Sequence, residues 1–162
     1  MNKNNMHTIS VLVQNKFGVL ARVAGLFSGR GYNISSLTVT ATHNPDISKM
    51  TIVTSGDAQI LEQIDKQLRK LVDVISVTDL TGSRFVEREL VLVKIKAETA
   101  AKKAELIQIV QIFGATFVTV NKKELGIELA GRSDVIDNFI DMVKDFGIID
   151  LARSGRVAVA KD

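Results

Sequence analysis

The chain has 162 residues, 46% of them hydrophobic, and a formal charge of +3, enough for one good core or two small ones. Lys and Arg are interleaved with Asp and Glu along the chain, so binding to nucleic acid is not signalled. The absence of cysteine excludes disulfides, thiolate catalysis and cysteine-ligated zinc, and no run approaches the roughly 18 apolar residues of a membrane span.

Residues 1–6 are polar and expected to be loose. The start, MNKNNMHTISVL, lacks the apolar stretch of a signal peptide, so a cytoplasmic location and no membrane partner are expected. From His7 to Gln14, Ile9, Val11 and Val13 alternate with Thr8, Ser10 and Leu12, which predicts a strand with one buried face. Asn15-Lys16-Phe17-Gly18 interrupts it. Val19 to Gly29 then carries apolar residues at three- and four-residue spacing (Val19, Leu20, Val23, Ala24, Leu26, Phe27), a helical stripe that must cover a sheet. Gly31-Tyr32-Asn33 reverses the chain into a strand from Ile34 to Thr42, with Leu37, Val39 and Ala41 on one face. After the turn His43-Asn44-Pro45-Asp46, Lys49 to Thr54 returns as a third strand with Met50 and Ile52 facing inward. Asp57 is a candidate N-cap for a helix with the stripe Ile60, Leu61, Ile64, Leu68, Leu71, and a fourth strand runs from about Val72 to Leu80. Strand, helix, strand, strand, helix, strand is the ferredoxin-like βαββαβ order.

Thr81-Gly82-Ser83 reads as a boundary, and the same order repeats after it with a period of about 75 residues. Glu89 to Lys96 predicts a strand, Thr99 to Phe113 a helix, and Thr116–Val120 with Glu124–Leu129 a hairpin around Asn121-Lys122-Lys123. Asp134 to Phe146 predicts a second helix with Ser133 as N-cap and Gly147 as its stop, and Ile148 to Val159 a last strand interrupted near Gly155. The expectation is an α+β chain of two ferredoxin-like domains, 1–82 and 83–162.

The usual catalytic arrangements are missing. His7 precedes a strand and His43 sits in a turn, away from any nucleophile elbow, so both read as surface residues. Gly29-Arg30-Gly31-Tyr32-Asn33-Ile34 starts like a dinucleotide fingerprint, but Ile34 stands at the third glycine and the segment ends a helix instead of opening one. Asp134, Asp137, Asp141 and Asp145 read as a solvated helix face, which leaves no metal site. RNA-binding domains of this topology stack bases on aromatic residues of the central strands, and here those strands carry Ile9, Val11, Val13, Met50 and Ile52.

The first loop and helix carry a different chemistry. The leading N–H groups of a helix have no intrahelical partner and carry the positive end of its dipole, so a carboxylate is stabilised there. Gly18 leaves room for close approach, and Asn15 and Asn33 each offer an amide oxygen for an ammonium group and an NH2 for a carboxylate. That set suits a small amino acid. An aspartate at position 18 is expected to repel such a ligand and to leave the fold standing, provided the φ of Gly18 is negative. On the local pattern alone, an ordinary turn into a helix that stops at Gly31 is the commoner reading.

The run Asn15-Lys16-Phe17-Gly18-Val19-Leu20-Ala21-Arg22-Val23, then Leu26 to Val39 (LFSGRGYNISSLTV), then Met50-Thr51-Ile52-Val53, resembles the ACT domain of the small regulatory subunit of acetolactate synthase, also called acetohydroxyacid synthase. Phe146-Gly147-Ile148 and Ala152-Arg153-Ser154-Gly155 look like that family's second domain, and the resemblance runs from about Met6 to Val159. It implies a non-catalytic homodimer that binds and activates a large catalytic subunit and confers feedback inhibition by valine in branched-chain amino-acid biosynthesis. Thiamine diphosphate, Mg2+ and FAD are implied for the large subunit and none for this chain. The resemblance places valine between two ACT domains, against Asn15, Gly18, Val19 and Leu20 of one copy and Asn33 and Ile34 of the other, with Leu20 and Ile34 facing the isopropyl group. Ala21 stands where serine is common, a position that bears on inhibitor sensitivity; Lys49 and Ser154 replace a frequent arginine and threonine. A free-standing ACT-domain sensor with another partner is the alternative, and the second domain, with Ala97-Glu98-Thr99 in place of Asn-x-x-Gly, is expected not to bind valine in the same way.

Overall fold

The computed structural model describes residues 6–161. By packing, the chain forms two compact units: one runs to Val86 and takes up the chain again at Arg156, and the other is Glu87–Gly155. The first contains β1 (Met6–Gln14), α1 (Val19–Gly29), β2 (Ile34–Ala41), β3 (Ile47–Ser55), α2 (Ala58–Leu68) and β4 (Val74–Asp79), in an antiparallel sheet of order β2-β3-β1-β4. The alternation in β1 does what its spacing predicts: Ile9, Val11 and Val13 pack with Met50 and Ile52 of β3 and with Val23 and Phe27 of α1, all essentially solvent-free. Each such side chain stabilises the fold by about 1.5–3 kcal/mol relative to exposure. Asp57 caps α2 as expected, its carboxylate accepting from the Ile60 N–H at 2.9 Å.

The second unit is built on β5 (Phe85–Lys96), α3 (Ala100–Phe113), β6 (Thr116–Val120), β7 (Glu124–Gly131), α4 (Ser133–Val143) and β8 (Ile148–Arg153), with strand order β6-β7-β5-β8. Its core of Val91, Val93, Ile95, Leu106, Ile127, Leu129, Ile136 and Phe139 repeats the first design with different residues. Both units thus have the ferredoxin-like arrangement, two helices on one face of an antiparallel sheet.

Several details differ from expectation. β4 starts at Val74, because the Leu71 N–H donates to Leu68 and that of Val74 to Leu71, making residues 68–74 a tight turn. β5 starts at Phe85 rather than Glu89. Ser133 is not the N-cap of α4: Arg132 holds that position, and the Ser133 hydroxyl donates to the buried carboxylate of Glu89 at 2.5 Å. α4 ends at Val143 and tightens into a 3-10 turn, Lys144–Phe146, before Gly147 leaves at φ 94. The last strand is two strands. β9 (Val157–Ala160) follows Gly155, pairs with β5, and lies in the first unit, where the Lys161 N–H donates to the Arg84 carbonyl. Against the division expected between residues 82 and 83, the C-terminal segment therefore packs with the N-terminal unit. Among the described residues no helix is long and apolar enough to cross a membrane.

Candidate functional site

β1 sits inside the sheet between β3 and β4, so the loop leaving it emerges among the ends of three other segments. The Gln14 N–H donates to the Asp73 carbonyl at 2.8 Å and the Asn15 N–H to the Asp46 carbonyl at 2.7 Å. The Asn15 side chain adds Nδ2 to the Pro45 carbonyl at 2.8 Å. One of its two amide N–H donors is thus committed to the β2–β3 turn, and Oδ1 is the atom to offer an ammonium group. From α1, Arg22 Nη2 reaches Asp73 Oδ2 at 2.5 Å and ties the helix to the same rim.

Gly18 is the residue before α1, with φ 81 and ψ −7, a left-handed conformation that favours glycine. This corrects the assumption of a negative φ: a side chain here is strained whatever space surrounds it. No side chain caps α1, whereas Asp57 caps α2 and Thr99 caps α3 by accepting from Lys102 N–H at 3.2 Å. The first turn of α1 also carries no acidic residue. The positive end of its dipole is therefore left for something outside the helix.

A groove of about 250 Å³ opens at this end, lined by Val13, Gln14, Asn15, Lys16, Val19, Leu20, Val39, Thr40, Ala41, Ser48 and Met50. It brings Asn15, Val19 and Leu20 together as expected, with Gly18 on the adjoining turn. Val19 is buried and Leu20 is 43% exposed, so Leu20 presents the apolar surface that remains open to a ligand. Sequence reasoning missed the opposite wall. The alternation puts Val39 and Ala41 on one face with Leu37 but does not mark them as groove residues; β2 is an edge strand, Val39 is 37% exposed, and Val39–Ala41 wall the groove. The position of β2 at the edge follows from the βαββαβ order, which is the signal that would have found them.

Asn33 and Ile34 lie elsewhere. They follow the far end of α1, whose 11 residues span about 16 Å. The Asn33 carbonyl accepts from Thr54 Oγ1 at 2.7 Å, and Ile34 packs partly on the core. One chain therefore does not unite the two halves of the expected site.

Other candidates are already occupied. A second groove, over α2 and β4, contains Glu62, Asp65 and Asp79, but Glu62 pairs with Lys66 at 2.6 Å, Asp65 with Arg69 at 2.8 Å, and Asp79 accepts from the Thr81 N–H. In the second unit Arg153 bonds both Glu89 and Asp137. Burial opposes the guanidinium's charge, yet the hydrogen bonds to Glu89 and Asp137 prevail and its pKa is raised. Asp137 is thus a structural partner and not merely part of a solvated face. His7 lies within β1, half-buried, bonding the Gly56 carbonyl through Nε2, and no group of three potential metal ligands occurs among the described residues.

A family model for the ACT domain of acetohydroxyacid synthase small subunits matches residues 9–76, and a model described as the small subunit of acetolactate synthase matches residues 88–162. The chain is 48% identical over 155 residues to a probable acetolactate synthase small subunit of Archaeoglobus fulgidus, covering 96% of both chains. It is 46% identical over 154 residues to the isozyme 3 small subunit of Escherichia coli, covering 94% of both. Among solved structures, the acetolactate synthase small subunit of Thermotoga maritima superposes with a TM-score of 0.88 at 37% identity, over 97% of this chain and 98% of that one.

Proposed function

The chain belongs to the small-subunit family of acetolactate synthase, and from that premise we propose that it binds and activates the catalytic subunit and makes it subject to inhibition by valine. In this reading the protein is a cytoplasmic regulatory subunit of branched-chain amino-acid biosynthesis, and the thiamine diphosphate, Mg2+ and FAD of the reaction belong to its partner. The observation that carries the effector reading is the uncapped start of α1 opening on a groove walled by Leu20, Val39 and Met50. A valine carboxylate takes the N–H groups of the first turn beyond that of Val19, which donates to the Lys16 carbonyl at 3.3 Å, where the dipole favours negative charge. The ammonium group takes Asn15 Oδ1, and the isopropyl group lies on Leu20.

The second half of the site, Asn33 and Ile34, then comes from another copy of the chain, since within one chain α1 keeps the two halves apart. A dimer across the β2 edge supplies it and covers that edge. The second unit offers no equivalent site: Ala97-Glu98-Thr99 precedes α3, and the Thr99 hydroxyl already caps it.

The test is to add this protein to its catalytic subunit with and without valine. Stimulated activity that valine lowers is the expected result. A chain that neither co-purifies with the catalytic subunit nor raises its activity refutes the reading, and would favour a free-standing sensor. Sedimentation of the chain alone should show a dimer at micromolar concentration; a monomer with and without valine refutes the two-copy site.

A further inference from the structure

The two large apolar side chains most open to solvent among the described residues are Phe17, fully exposed, and Val72, 90% exposed. Both stand at the same end of the first unit, on loops that the hydrogen bonds of Gln14, Asn15 and Arg22 join into one rim. Neither residue lines the groove. Phe17 is held between Lys16, whose N–H donates to the Gln14 carbonyl, and the left-handed Gly18. Val72 is held between Leu71, which packs on the core, and Asp73, which is 9% exposed and paired with Arg22. A third exposed apolar side chain follows Val72 by three residues on the start of β4. The β1–β4 register shifts at Leu12/Val13, so Ile75 is left without a partner residue in the ladder and stands 51% exposed. Bulges of this kind re-aim a side chain.

Exposed side chains on a cross-braced frame lose little entropy when they are buried by a partner, which is how an interface anchor is pre-organised. A second copy docked on the β2 edge cannot cover all three. In the order β2-β3-β1-β4, Val72 and Ile75 belong to the opposite edge. Lys16 and Lys70 are exposed beside Phe17 and Val72, and neither makes an ion pair among the described residues.

Resting on the reading above, we propose that this rim is the surface that docks the catalytic subunit, with Phe17, Val72 and Ile75 entering an apolar depression bordered by carboxylates that face Lys16 and Lys70. The loop that starts α1 then serves two ends, its backbone facing the effector groove and its Phe17 facing the catalytic partner. Valine in the groove acts on the loop that carries an anchor of the interface.

The experiment measures binding of the full-length chain to purified catalytic subunit for wild type, Phe17→Ala, Val72→Asp and, as a control on the second unit, Ile112→Asp, together with sedimentation and melting of each chain alone. Truncating or charging a buried anchor should weaken binding about thirtyfold, for Phe17→Ala and for Val72→Asp, while Ile112→Asp binds as wild type. Dimer mass and melting temperature should stay unchanged for Val72→Asp, and wild-type affinity should fall as salt rises. If wild type binds and both rim variants keep its affinity, the rim is not the docking surface and the regulatory reading survives. Loss of self-association without loss of affinity for the catalytic subunit would assign the rim to a second copy and overturn the proposal. If wild type does not bind the catalytic subunit, both the proposal and the regulatory reading fall.

Discussion

Replacing Gly18 by aspartate separates two effects that the structure places on one residue. At φ 81 any L side chain is strained, by about 1–2 kcal/mol, somewhat less for aspartate than for alanine because its short polar side chain can bond locally. A Cβ at this position meets Arg22 Nη1 at 3.4 Å, an ordinary contact, so steric exclusion adds little. Only aspartate adds charge. A ligand carboxylate on the first turn of α1 would lie about 5 Å from it, and at an effective dielectric near 20 the repulsion is about 3 kcal/mol, or roughly a hundredfold in affinity. Arg22 tempers this: if it turns from Asp73 toward the new carboxylate, repulsion falls and the nearly buried Asp73 loses its partner, which shows as further thermal destabilisation. Calorimetric titration of valine into wild type, Gly18→Ala and Gly18→Asp, beside thermal melts of all three, reads both effects. Both variants should melt lower, by about 2–8 °C for a chain of this size. Aspartate should bind valine at least about tenfold more weakly than alanine, the part of the repulsion that Arg22 does not screen, and should still activate the catalytic subunit. Equal loss of valine binding in the two variants would refute the charge argument and leave Gly18 as a backbone requirement.

Three further outcomes follow from the framework. Asp57→Ala removes the cap of α2 and should cost about 1 kcal/mol in a denaturant titration, while Asp57→Asn restores most of it. Glu89→Ala strips a 5%-exposed carboxylate from Arg153 and Ser133 and should cost about 3 kcal/mol, with Glu89→Gln intermediate because it can still accept from Ser133; a thermal melt within 1 °C of wild type for the alanine variant, against a loss of roughly 6–12 °C expected, would contradict the pairing. Gly126→Ala would set a Cβ 2.2 Å from Thr119 Oγ1 across the β6–β7 ladder, and should melt lower than wild type, with partial rescue by Thr119→Ala in the double variant; no rescue would place the strain elsewhere.

The fold was legible where periodicity and caps agree. Ile9, Val11 and Val13 at period two, the stripe of α1 at period 3.6, and Asp57 at the start of α2 each place an element without reference to the rest of the chain. Omissions and errors arose where a residue's role depends on distant neighbours. Val39 and Ala41 carry the alternation of a buried strand, yet an edge strand buries its apolar face only where a helix reaches it, and local sequence does not say how far the helix extends. Ser133 has the chemistry of an N-cap, but Glu89, 44 residues away, claims its hydroxyl. The return of β9 to the first unit depends on chain geometry after Gly155, which has φ 80 and leaves no periodic signal.

The candidate site was half legible for a related reason. Asn15, Gly18 and Leu20 are neighbours in sequence, so their shared position follows from the loop alone; the groove's other wall, and Phe17 and Val72 on the rim, follow only from which strands end together. What distinguishes the site is a difference among helices of one chain. α2 and α3 use a side chain to satisfy their first turns, α4 lacks a side-chain cap but carries Asp134 in its first turn, and α1 has neither, starting from a left-handed glycine with no side chain to offer. A helix start left uncapped costs stability, about 1 kcal/mol by the usual worth of a cap, and a bound carboxylate can return that amount. Evenly spaced apolar residues explain why α1 is a helix, but they do not explain the missing cap. Placing a neutral polar side chain there, by Gly18→Asn, therefore separates charge from bulk: asparagine tolerates the left-handed region better than most residues and carries no charge. Valine affinity should fall by much less than in Gly18→Asp, and a neutral asparagine that abolishes binding as completely as aspartate would mean that the groove rejects any side chain there, and that the helix dipole is not what selects the ligand.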